Sequence, residues 1–195
     1  MNKYIYFLGY QGPKTLFLLI LGMLYYQGET NPYIYLAVIA CQAINFLINV
    51  SIKNTLKAPR PDSDKDPKFP LLKPTYKNFF TVHRNFGMPS GHAQDVWWDF
   101  TFIALYFQNP LLTAFAAGQV ALTLWHRYKN RRHTLKQLAV GSTIGAMVGL
   151  TFYTLFASIT GASITGASIT GASITGASIT GASITSTNNI KFPVQ

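Results

Sequence analysis

Lys53 and Arg60 lie seven positions apart, and Pro59 and Pro61 stiffen the chain around the arginine. Further along stand Pro89-Ser90-Gly91-His92 and then Arg127, followed after five residues by His133. Phosphoryl transfer needs these types: cations and N–H donors around three equatorial oxygens, an in-line nucleophile, and an acid for the leaving oxygen. Arginine grips phosphate oxygens in pairs, and lysine acts as a point charge. Ser90 is expected to cap a helix whose first N–H groups and dipole favour an anion, and Gly91 would let the backbone approach a ligand closely. His92 would sit in the first turn of that helix, where an imidazolium can protonate a leaving oxygen, and His133 is a nucleophile able to form a phosphohistidine. Each segment alone has a plainer reading: membrane-edge anchors, a capped helix start, a basic loop.

The elements that must position these residues are apolar helices. The 195 residues allow one domain; 49% are apolar and only 11% charged, which suits a bundle in lipid. The formal charge of +10 is spread between long apolar runs and is not gathered on one soluble face, which argues against a nucleic-acid partner. Cys41 is the only cysteine and lies in an apolar run, so no disulfide framework or thiolate cluster is expected. Four histidines, one cysteine and few carboxylates assemble no obvious metal site, and no cofactor is expected.

A spanning helix needs about 20 mostly apolar residues. The first candidate, from Tyr4 to Tyr26, is interrupted by Gln11-Gly12-Pro13-Lys14 and is open to spanning, re-entrant or interfacial placement. It is read as a retained membrane segment, with a cleaved signal peptide as the alternative. The second runs from Pro32 to Ile52, with Asn31 as its cap. A proline-punctuated loop fills 53–88; Ser90 starts a helix to about Gln108, Asn109-Pro110 breaks the chain, and further spans run to Trp125 and from Leu135 to Phe156. Two spans between the second and third motifs return the chain to the same face, so all three motifs can meet. Most of the Lys and Arg fall on that face, which the positive-inside rule would make cytoplasmic, although cations serving a site spoil such a count. Residues 1–156 are thus expected to form the membrane domain. Residues 157–195, with five copies of Gly-Ala-Ser-Ile-Thr from Gly161 to Thr185, form a low-complexity tail or a prolonged last span.

The order Lys-x6-Arg-Pro, Pro-Ser-Gly-His, Arg-x5-His resembles the type 2 phosphatidic acid phosphatase superfamily, which also includes the vanadium haloperoxidases. The resemblance covers roughly residues 45–145. It implies that Lys53, Arg60, Ser90, Gly91 and Arg127 hold the phosphate, that His133 attacks phosphorus, and that His92 protonates the leaving group. The chain departs from the family in two places. His126 stands where a serine usually precedes the third-motif arginine, and Gln137 stands where an aspartate usually orients the nucleophile. An amide at Gln137 could still fix the imidazole tautomer, but it cannot stabilise a positive ring as a carboxylate does. His133-Thr134-Leu135-Lys136-Gln137 is similar to the third motif of the dolichyl diphosphatase branch, and Gly87-Met88 and Ala93-Gln94 fit that branch loosely.

Asp95 and Asp99 share a helix face with His92. A carboxylate in a span faces a cavity or a partner, so one of them could orient His92 or pair with a site cation; the alternative is bonding to Trp or Tyr at the interface. The expectation is an all-α integral membrane bundle of four to six helices, multi-pass, with the phosphate site at the membrane surface. The expected reaction is metal-independent hydrolysis of a lipid phosphate or diphosphate through a phosphohistidine, with polyprenyl diphosphate favoured. The partners are the bilayer and that lipid, and the oligomeric state stays open. The rival reading is a silent protein that binds phosphorylated lipid, with a haloperoxidase a distant third.

Overall fold

The computed structural model describes residues 3–61 and 86–160. They form five helices and no strand: α1 (Lys3–Tyr26), α2 (Pro32–Leu56), α3 (Gly91–Tyr106), α4 (Pro110–Lys129) and α5 (Leu135–Thr160). α1, α2 and α5 are each long and apolar enough to cross a bilayer. The sixteen residues of α3 rise about 24 Å and the twenty of α4 about 30 Å, enough to line the bundle beside them. The protein is an integral membrane helix bundle, and Leu18, Leu36, Leu111 and Leu150 are among the large apolar side chains on its outer surface.

Helix starts follow local chemistry. Asn31, Ser90 and Asn109 each accept a backbone N–H with the side-chain oxygen, and Pro32 and Pro110 occupy first helical positions where no N–H is needed. α1 runs unbroken through Pro13. α2 continues one turn beyond Ile52, so Lys53 belongs to the end of a helix and not to the loop. α5 is described to Thr160, and the Gly-Ala-Ser-Ile-Thr copies lie outside the described residues, as do residues 62–85 of the expected loop.

α3 is the central helix. Its buried Val96, Trp98, Phe102 and Ile103 meet Leu16, Ile20 and Leu24 of α1, Val38 of α2 and Phe156 of α5 in one core. Trp98 stacks on Phe102, and Phe102 meets Phe152 at 5.4 Å and Phe156 at 5.7 Å. α5 comes closest to α3 because Gly141, Gly145 and Gly149 form a stripe without side chains. A Cβ there would stand 2.5 Å from the Ser90 carbonyl oxygen, on the Gln94 carbonyl oxygen, and 2.9 Å from the Trp98 carbonyl oxygen, respectively. Such small-residue stripes let helices pack backbone to backbone where lipid removes the hydrophobic drive. α1 uses the same device against α4, through Gly9 at His126 and Gly12 at Thr123.

α2 is fastened to α3 by amides. Gln94 Nε2 donates to Asn45 O and Oδ1, both at 2.8 Å, and Asn49 Nδ2 donates to Gln94 Oε1 at 2.8 Å. Asn45 Nδ2 in turn donates to Asp95 Oδ1 at 2.9 Å. Buried polar groups in lipid must be satisfied within the protein, so this chain of bonds sets the register of α2 beneath the motif residues.

Candidate active site

The three motifs meet at one end of the bundle. Gly87 N–H donates to Ala58 O at 2.8 Å, closing the ends of the long loop on each other. Gln137 Nε2 donates to Pro59 O at 2.8 Å, and Ser90 N–H donates to Gln137 O at 3.1 Å. The chain after α4 turns at Arg131, with Arg132 N–H bonded to Arg127 O at 3.0 Å, and this turn presents His133. One glutamine therefore links the first motif, the second and the third.

Gln137 does not touch the ring it was expected to orient by any hydrogen bond among the described residues. Its side chain accepts from Thr134 N–H while Thr134 Oγ1 accepts from Gln137 N–H, a reciprocal capping box at the start of α5. The partner of His133 is Gly87, noted in the sequence only beside the second motif: Nδ1 lies 2.9 Å from its carbonyl oxygen. A carbonyl can only accept, so Nδ1 carries the proton and Nε2 keeps its lone pair. A Cβ at Gly87 would stand 2.6 Å from Gln137 Nε2, so a larger residue there would push this amide from the Pro59 carbonyl oxygen. Gln137 thus supports the ring at one remove, by holding the loop that supplies the carbonyl.

His133 is buried, 2% exposed, and so are Lys53 at 3% and Arg127 at 7%. Burial first, and then Arg60, Arg127 and Lys53, hold the His133 imidazole far below the ordinary histidine range. The same three cations are the charged neighbours of His92. Burial and then Arg132 lower the Arg60 guanidinium to about 10, still charged at neutral pH. Arg127 Nε is buried without an acceptor among the described residues, a donor that a phosphate oxygen would satisfy. Lys53 also approaches the start of α3: a Cβ at Gly91 would stand 3.8 Å from Lys53 Nζ and 3.4 Å from Asn49 Oδ1. Ser90 caps α3 through its bond from Ala93 N–H at 3.4 Å, which places it at the helix start. The geometry brings Lys53, Arg60, His92, Arg127 and His133 together beside that helix start.

The pH consequence follows from the sign of the His133 shift. The folded protein binds fewer protons at this ring than the unfolded chain, so burial of the neutral ring costs stability as pH falls below about 6.5, the ordinary histidine value. ¹⁵N-histidine spectra of the detergent-solubilised protein should show His133 as the Nδ1–H tautomer, unchanged between pH 8 and pH 5.5. A midpoint near 6.5 for that resonance would contradict the arrangement.

Asn45 and Asn49 are structural contributors that motif reading passes over. Asp95 takes its bond from Asn45, and no bond joins it to His92 among the described residues. Asp99 is wholly buried with both oxygens lacking a donor among the described residues. Trp98 Nε1 donates to Cys41 Sγ at 3.2 Å, so it is not an aspartate partner. His126, in the place where the family has serine, packs edge-on against Tyr6 at 4.6 Å and wedges the N-terminal half of α1 against α4. Among the described residues, no three His, Cys, Asp or Glu side chains gather into a metal-ligating group.

The chain is 29% identical over 128 residues to the protein named dolichyldiphosphatase in Saccharomyces cerevisiae (strain ATCC 204508 / S288c), a match covering 60% of this chain and 50% of the yeast protein. The chain therefore spans about half the length of that curated relative. No solved structure matches it. The family model of the PAP2 superfamily matches residues 34–160, which include all three motifs and four of the five helices, and the chain belongs to that superfamily.

Proposed function

We propose that the protein hydrolyses a lipid phosphate or diphosphate through a covalent phosphohistidine on His133, with a polyprenyl diphosphate as the favoured substrate. The observation that carries this reading is the buried His133, neutral and bonded at Nδ1 to Gly87 O, inside a cluster of Lys53, Arg60 and Arg127. The cations supply the charge that phosphoryl transfer otherwise takes from a metal ion. The preference for a polyprenyl diphosphate rests on the name of the yeast relative and on His133-Thr134-x-x-Gln137.

The chemistry balances with water as the only co-reactant. The Nε2 lone pair of His133 forms a bond to the terminal phosphorus as the bond from phosphorus to the lipid-side oxygen breaks. His92 gives its proton to that oxygen, and the dephosphorylated lipid leaves. A water then loses a proton to His92 and attacks phosphorus, the P–Nε2 bond breaks, and inorganic phosphate departs. Lys53, Arg60 and Arg127 hold the three equatorial oxygens throughout, with the α3 N–H groups beside them.

The test is phosphate release by detergent-purified protein with a chelator present, offered polyprenyl diphosphate, phosphatidate and diacylglycerol pyrophosphate. Turnover is expected, fastest on polyprenyl diphosphate, with a radiolabelled phosphoprotein that survives alkali and is lost in acid, as a phosphoramidate bond requires. Absence of release from all three lipids would overturn the proposal and favour a silent lipid-phosphate binder.

A further inference from the structure

Lys14 is a cation midway along α1, a helix long and apolar enough to cross a bilayer. It interrupts the apolar run of α1 together with Gln11, and no motif accounts for either residue. A charge within a spanning helix is expensive and is kept where it faces a cavity or a partner. Lys14 has no ion pair or hydrogen bond among the described residues, and it lines a cavity of about 240 Å³.

The walls of that cavity indicate its ligand. α1 contributes Tyr10, Gln11, Lys14 and Phe17, α2 contributes Gln42, and α3 contributes His92 and Asp95. α1 and α2 flank α3 here, so the cavity is a cleft with α3 as its floor. The Tyr10 ring lies 5.6 Å from the His92 ring, at the level of the phosphate cluster. Lys14 is four residues further along α1, about 6 Å deeper into the membrane. Asp95 Oδ1 accepts from Asn45 Nδ2, and Lys14 is the cation that the cleft offers to a ligand. The amide oxygen of Gln42 is buried with no donor among the described residues, so this amide is free to turn toward a ligand. Below Lys14 comes Phe17, and the helix is apolar from there.

We infer that this cleft binds the inner phosphate of a lipid diphosphate, with Lys14 as its cation. The inference rests on the lipid phosphatase reading and narrows it to diphosphate substrates. His92 protonates the oxygen that bridges the two phosphates, so whatever follows that oxygen must lie on the far side of His92 from His133. A monophosphate ester would place an uncharged chain beside Lys14, and a diphosphate places a phosphate there. The sequence of groups along the cleft matches the substrate: cation cluster for the terminal phosphate, His92 at the bridge, Lys14 at the inner phosphate, Phe17 and lipid for the chain.

The experiment compares polyprenyl diphosphate with the corresponding polyprenyl monophosphate in wild type, Lys14→Gln and Lys14→Arg. Lys14→Gln should lower kcat/KM for the diphosphate at least about tenfold more than for the monophosphate, the size of one charge-assisted hydrogen bond. Lys14→Arg should recover part of that ratio. A purely structural lysine would lower both substrates alike and melt earlier, and that result would overturn the site while leaving the phosphatase reading intact. Binding of inorganic pyrophosphate against inorganic phosphate to the purified protein needs no turnover. If wild type releases phosphate from neither lipid, the phosphatase reading fails, and a pyrophosphate preference lost in Lys14→Gln would still support the site. An equal preference in both proteins would overturn it.

Discussion

His133→Ala should abolish phosphate release from every substrate, while His92→Ala should spare substrates that do not need an acid. The two histidines stand in one cation cluster, and the proposed reaction gives them opposite tasks. In the proposed reaction His133 forms the bond to phosphorus, so its removal should end turnover whatever the leaving group; losses of 10³-fold or more are usual for a nucleophile in a unit of interdependent groups. In the same proposed reaction His92 acts only on the departing oxygen, and general acids contribute about 10²–10⁴-fold. A lipid alkoxide needs that proton, a lipid phosphate needs it less, and a nitrophenolate hardly needs it. The His92→Ala protein should therefore lose the most on phosphatidate, less on polyprenyl diphosphate and least on p-nitrophenyl phosphate. Rates measured on these three in both variants decide the roles. If His92→Ala slows all three equally, His92 holds phosphate and is not the acid.

Much of this site is legible in the sequence because phosphate chemistry restricts residue types. Lys53, Arg60, His92, Arg127 and His133 are far apart in the chain, yet their identities and the number of intervening spans predict that they meet. The caps at Asn31, Ser90 and Asn109 are equally readable, since each depends on one side chain and its own next turn. The support of His133 is not readable in this way. It is given by the Gly87 carbonyl, and a backbone oxygen leaves no mark in a motif. The departure at Gln137 suggests from the sequence a weakened enzyme, because a carboxylate is absent. In the fold the glutamine caps α5 and ties Pro59, and both tasks require an amide that accepts at one end and donates at the other. An aspartate there would be shorter and could not donate to the Pro59 carbonyl. The substitution is thus matched by the Gly87 contact, and His133 has its tautomer without a carboxylate.

The stripe on α5 is present in the sequence as glycines at 141, 145 and 149, but glycine lowers helix propensity and gives no hint of its partner. Gly145→Ala puts these effects in competition. Alanine gains about 1 kcal/mol of helix propensity over glycine in an α-helix. Against this, its methyl group would fall on the Gln94 carbonyl oxygen, a backbone atom that can yield only if α3 itself moves. Overpacking of a close contact costs about 1–3 kcal/mol, and contact with backbone lies at the upper end because no rotamer relieves it. The clash wins, and Gly145→Ala should be destabilised by about 2 kcal/mol, with Gly145→Leu failing to fold. The control is built into the chain: Gly22 and Gly118 have nothing near the position of a Cβ, so alanine at either should be neutral or stabilising. Thermal melting of the four variants in one detergent measures the difference. Because α3 carries Ser90, Gly91 and His92 at its first turn, the Gly145→Ala protein should also lose affinity for vanadate as a phosphate mimic, whereas Gly118→Ala should not. A Gly145→Ala protein that melts above wild type would mean that α3 and α5 are separated by more than this packing allows.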